Sequence, residues 1–116
     1  MPAGYSELFL EQGADFNTTI TLDDVSGTPM NLVSYTATSQ MRKSYYSSNA
    51  SATFLIETGG SEGTITMSMT SANTANIYAG RYVYDVYITS AQNIRVRVLE
   101  GIVNVLPQVT KTAGML

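Results

Sequence analysis

Residues 64–70 (TITMSMT) alternate without a break, with Ile65, Met67 and Met69 on one side and Thr64, Thr66, Ser68 and Thr70 on the other. A period of two puts each set on its own face of a pleated strand, one against a core and one toward water. The pattern recurs along the chain. Phe16, Thr18, Ile20 and Leu22 share a face opposite Asn17, Thr19 and Thr21, and Val33, Tyr35, Ala37, Ser39 and Met41 share one opposite Thr, Gln and Arg. Residues 5–10 and 51–57 give two shorter strands, the second with Ala52, Phe54 and Ile56 together. Residues 82–89 (YVYDVYIT) are apolar or aromatic at nearly every position, which predicts a central strand covered on both faces. Residues 94–105 form a long closing strand whose alternation shifts phase around Gly101, the mark of a bulge or bend.

Punctuation between these segments fits short connections. Residues 23–31 (DDVSGTPMN) supply carboxylates, a glycine and a proline for a turn, and Gly59, Gly60 and Gly63 mark a hairpin into residues 64–70. Residues 71–78 (SANTANIY) open on a capping residue and suffice for one or two helical turns. No other segment sustains a helical period. The prediction is an all-β chain: an immunoglobulin-like β-sandwich of about seven strands with one short helix, a barrel being the alternative. Residues 1–106 form one domain, and residues 107–116 an extended C-terminal tail after Pro107.

Composition narrows the chemistry. Without histidine or cysteine the chain lacks the commonest general base, the commonest metal ligands and the thiol nucleophile, so no enzyme activity, metal or cofactor is expected. The net charge is −3 and the six basic residues are scattered, which argues against a nucleic-acid partner. No apolar stretch approaches a membrane span, and residues 1–12 show neither the basic nor the apolar region of a signal peptide. Asp23 and Asp24 lack the further acids of a calcium loop and read as turn formers.

Three features call for a partner. Asp85 interrupts an apolar strand, and an ion pair with Arg42 is the first expectation, with Arg95 and Arg97 as alternatives. Tyr45 and Tyr46 stand beside Arg42 and Lys43, either as interface anchors or with one ring packed into the sandwich edge and the other flat on the surface. The two ends offer Tyr5 and Leu8, and Val109, Met115 and Leu116, as candidate contacts with a neighbour's sheet edge.

Several runs taken together carry a resemblance: EQGADFNTTITLDD, GTPMNLVSYTATSQMRKSYYSS, GTITMSMTSANTANIYAGRYVYDVYIT and VRVLEGIVNVLPQVT. In this order they resemble a family of bacteriophage virion modules, found alone or at the N-termini of baseplate and tail-fibre proteins, including immunoglobulin-like domains of baseplate upper proteins. The wording is nearest to that of tailed phages of cyanobacteria. The similarity spans about residues 11–110, and its most specific runs are residues 40–43, 80–85 and 99–101. The resemblance implies a non-enzymatic virion subunit made in the host cytoplasm, repeated around a symmetric particle and bound to other virion proteins in the tail, baseplate or neck. A capsid decoration protein is the first alternative. A carbohydrate-binding module using Tyr45, Tyr46 or Tyr78 is the second. No shaft or receptor-binding head follows the module here, so direct host recognition is not expected of it.

Overall fold

The computed structural model describes residues 4–23 and 27–110. The chain opens with two short strands, β1 (Gly4–Tyr5) and β2 (Leu8–Glu11), and crosses to β3 (Phe16–Thr21). It continues through β4 (Thr36–Arg42), β5 (Ala52–Thr53), β6 (Leu55–Thr58), β7 (Thr64–Met69), a single helical turn α1 (Ser71–Thr74), β8 (Gly80–Thr89) and β9 (Arg95–Leu106). One sheet has the order β1-β9-β8-β4-β5, with β2 also on β9; the other is β3-β7-β6. Both β1 and β2 run parallel to β9, whereas the other pairs are antiparallel.

The clean alternation of residues 64–69 has the predicted result. Ile65, Met67 and Met69 are buried, and β7 is the middle strand of its sheet. Facing it, the larger sheet contributes Leu10, Met41, Tyr84, Val86, Ile88, Val103 and Val105. Between the layers lies Phe54, its ring centroid 5.8 Å from that of Phe16 and 6.3 Å from that of Tyr84.

Four expectations are corrected. The first strand is interrupted at Ser6 and Glu7, where the backbone of Ser6 passes over Gly101; a β-carbon at position 101 would collide with the Ser6 carbonyl oxygen. Residues 33–35 belong to a turn, because Ser34 takes a φ of 70° and the Tyr35 amide donates to the Leu32 carbonyl. Leu32 is therefore the buried side chain there, and Val33 is exposed. The segment at residues 51–57 is two strands in different sheets: β5 pairs with β4, Phe54 turns inward, and β6 pairs with β7. The phase shift in β9 falls at Val98 and Leu99, not at Gly101. Val86 faces Leu99 while Tyr87 faces Arg97, so Val98 is an extra residue and both it and Leu99 are buried. Counting β1 with β2 and β5 with β6 as single interrupted strands leaves seven.

One end of the sandwich is closed by polar contacts. The Thr74 hydroxyl donates to the Ala14 carbonyl (2.9 Å) and accepts from the Gly13 amide (3.1 Å). The buried Gln12 amide donates to the Ile77 carbonyl (2.7 Å), and its oxygen accepts from the Gln108 amide (3.2 Å). That last bond ties the start of the tail to the domain.

Candidate functional site

The outer face of the larger sheet holds the densest group of polar and aromatic side chains. It follows from the register of β8. Tyr82, Tyr84, Val86 and Ile88 fill the core, so Arg81, Val83, Asp85 and Tyr87 must point the other way. This face is not covered as the apolar run predicted. Val83, Asp85 and Tyr87 are half-buried by their neighbours, and Arg81 is exposed.

Asp85 lies directly between Gln40 of β4 and Glu100 of β9. The expected ion pair with Arg42 does not form. Arg42 stands opposite Val83, and its guanidinium turns away to donate to Gln40 Oε1 (2.9 Å) and to the Ser47 carbonyl (3.2 Å). Among the described residues the single ion pair joins Arg97 to Glu100 at 3.5 Å. Asp85 thus has no cation in salt-bridge contact, although it adds to the field that raises the pKa of Arg97, a rise due first to the hydrogen bond with Tyr87.

Tyr87 organises the other end of the face. The Arg95 guanidinium lies 3.7 Å from its ring centroid and that of Arg97 5.7 Å, with Arg97 Nε donating to the phenol oxygen at 3.4 Å. A tight turn, closed by the Ser47 amide on the Ser44 carbonyl and the Ser44 amide on Ser47 Oγ, brings Tyr45 over the same region. The result is a cleft of about 220 Å³ lined by Arg42, Tyr45, Asp85, Tyr87 and Arg95 among others. A second hollow of about 290 Å³ adjoins it, sharing Gln40, Asp85, Tyr87 and Arg95.

The other predicted contact residues are spread out. Tyr45 joins the cleft, but Tyr46 projects into solvent at 97% exposure. Tyr5 is exposed on β1. Leu8 is corrected: at 7% exposure it packs into the core, because β2 turns Leu8 and Leu10 inward, and Phe9 (58% exposed) is the outward side chain of that strand. The inward Leu-x-Leu pair is the signal that sets Phe9 outside. Val109 is fully exposed, and Met115 and Leu116 lie outside the described residues. Arg95 was legible as a possible partner of Asp85, but neither its stacking on Tyr87 nor Gln40 beside Asp85 was, since these meetings depend on strand order.

Chemically, the cleft offers guanidinium, carboxylate, amide and phenol groups at hydrogen-bonding positions. Among the described residues no three potential metal ligands come together, and no helix is long and apolar enough to cross a membrane.

Two facing sheets with a parallel first strand on β9 and a chain that changes sheets at Phe54 define an immunoglobulin-like β-sandwich. Among solved structures the chain is similar to the GspB Siglec domain, with a TM-score of 0.55 and 11% identity over 93% of this chain. It spans 57% of that chain's length. A second similar structure comes from work on the multimeric cell-adhesive interactions of VGSC beta subunits, with a TM-score of 0.43, 14% identity, and coverage of 88% and 92% of the two chains. No family model matches the sequence, and no curated protein matches it.

Proposed function

We propose that the chain is a non-enzymatic assembly module, docking in a larger particle through open strand edges and its termini. The observation that carries this reading is the open, uncharged edge of β3. The chain crosses between sheets on both sides of the sandwich, from β2 to β3 and from β5 to β6, and each of these four strands pairs on a single side only. Among the described residues no strand pairs with their outer edges. The β3 edge, FNTTIT, has no charge, proline or bulge, the devices that keep an edge strand from pairing with another chain. Tyr5 and Phe9 are exposed on the adjoining β1 and β2. An extended segment of a neighbour can add to such an edge through backbone hydrogen bonds.

The assignment of the particle to a bacteriophage virion, and within it to tail, baseplate or neck, is supported by the sequence resemblance. In particles purified from an infected host the chain should be found at a fixed copy number. A few tens of copies or fewer fit the tail, and hundreds fit the alternative of a shell decoration protein. The double variant N17K/T19K places lysines along the β3 edge. It should fold as the parent does by circular dichroism but enter particles at least about tenfold less. Absence of the chain from purified particles would overturn the virion reading, and full incorporation of the double variant would remove the β3 edge from the contact.

A further inference from the structure

The outer face of β4, β8 and β9 gathers the arginines of the chain. The basic residues of this acidic chain are not evenly placed. Of the five that fall among the described residues, Arg42, Lys43, Arg81, Arg95 and Arg97 all lie on or beside these three strands, whereas β3, β6 and β7 carry none. Four arginines on this face meet two carboxylates, Asp85 and Glu100, and Glu100 is already taken by Arg97.

Two of those guanidiniums are held in place without being neutralised. The Arg95 guanidinium lies 3.7 Å from the Tyr87 ring centroid and has no hydrogen bond or ion pair among the described residues, so its donor edge is free. Arg42 is fixed by a neutral amide and a backbone carbonyl, which leaves its positive charge intact. Both open into the same cleft, with Asp85 and Gln40 between them and Tyr45 at the rim. A cation immobilised by stacking or by neutral acceptors loses little further side-chain freedom on binding an anion, and its planar donors suit a carboxylate. Asp85 and Gln40 supply planar acceptor and donor groups for hydroxyls, and the Tyr45 ring offers an apolar face to a pyranose.

We propose that this cleft binds an acidic saccharide, the sugar carboxylate engaging Arg95 and Arg42 and the ring hydroxyls engaging Asp85 and Gln40. The neighbouring hollow, which shares Gln40, Asp85 and Arg95 with it, takes the next sugar along the strand direction. The proposal is independent of the docking edge, which lies at the border of the sandwich and uses other residues.

The test is titration of the intact chain by isothermal calorimetry and backbone amide NMR. The probes are oligogalacturonate, oligomannuronate and hyaluronan fragments, each beside its carboxyl-reduced neutral form, with oligoglutamate as an acidic peptide. At least one carboxylated sugar should bind at least tenfold tighter than its neutral form and shift amides of β4 and β8 around Gln40 and Asp85. Binding should weaken as salt rises. R95Q and R42Q should each reduce affinity at least tenfold, Q40E should do so while leaving both arginines in place, and E57Q on the opposite sheet should leave it unchanged. Equal binding of neutral and acidic forms, preference for oligoglutamate, binding by none of the sugars, or retained affinity in R95Q would each overturn the proposal.

Discussion

Gly101 and Tyr84 act on one atom, the carbonyl oxygen of Ser6. The glycine lets the backbone of Ser6 cross β9 where a side chain would block it, and the Tyr84 hydroxyl then donates to that oxygen at 2.8 Å. Replacing Gly101 by alanine forces the first strands off β9 or bends the closing strand. Either outcome costs at least about 2 kcal/mol, measured by urea denaturation, with increased amide exchange in β1 and β2. Burial pushes the Tyr84 phenol up to about 12, above its ordinary value of 10. A raised folded-state value means the folded chain keeps the proton in a range where the unfolded chain has lost it. Stability is therefore complete below about pH 10 and falls as the pH rises toward 12, by at most about 1.4 kcal/mol per pH unit from this group. Tyr84→Phe should cost about 1 kcal/mol at pH 7 through the lost hydrogen bond. It should also flatten the alkaline part of a stability profile; an unchanged slope there would assign the alkaline loss to other groups, Tyr82 among them. That Tyr84 is covered was legible from the apolar run of residues 82–89, which predicts cover on both faces and does not say which face meets the core. That its hydroxyl meets Ser6, 78 residues away, depends on a parallel pairing that no local pattern encodes.

At the scale of elements, the alternation located nearly every strand but left two events misread, both of them changes of neighbour. At Phe54 the chain leaves one sheet for the other while its side-chain pattern runs on as though it were a single strand. At Val98 an extra residue is absorbed: the alternation Arg95-Val96-Arg97-Val98 restarts at Leu99-Glu100, so the adjacent Val98 and Leu99 mark the shift, and Gly101 lies beyond it. Like the crossover, the outer-face cleft was hidden. Asp85 was conspicuous in its strand, but its cross-strand neighbours were set by a register in which Gln40, not Arg42, stands opposite. The crossover at Phe54 also concentrates packing, since that ring touches the edge strand β3 through Phe16 and the central strand β8 through Tyr84. Phe54→Ala should cost about 3–5 kcal/mol, near the largest effect of any single truncation in this core. The measurement is the urea midpoint at unchanged slope; a loss below about 1.5 kcal/mol would mean that the two sheets hold together without this ring.

For the whole molecule, the uneven distribution of polar character separates two surfaces. The smaller sheet presents Asn17, Thr19, Thr64, Thr66 and Ser68 to solvent, hydroxyl-rich and with Glu57 the one charged residue of its three strands, and Thr19 and Thr66 are hydrogen-bonded across strands at 3.2 Å. The larger sheet presents the arginines. If docking uses the β2 and β3 edges, it leaves the arginine face free, and a copy so held would still offer its cleft to a ligand. The tail is the remaining element of that arrangement. It is joined to the domain by the Gln108 amide on Gln12, beyond which Val109 is fully exposed. Removal of residues 108–116 takes away that bond but no core side chain among the described residues. The truncated chain should therefore fold, with a midpoint lowered by about 4–8 °C for a loss near 1 kcal/mol. If the tail clamps a neighbour, the same truncation lowers incorporation into particles far more than this small destabilisation explains, and adding back the N17K/T19K edge change lowers it further. Incorporation equal to that of the full chain would assign docking to the strand edges alone.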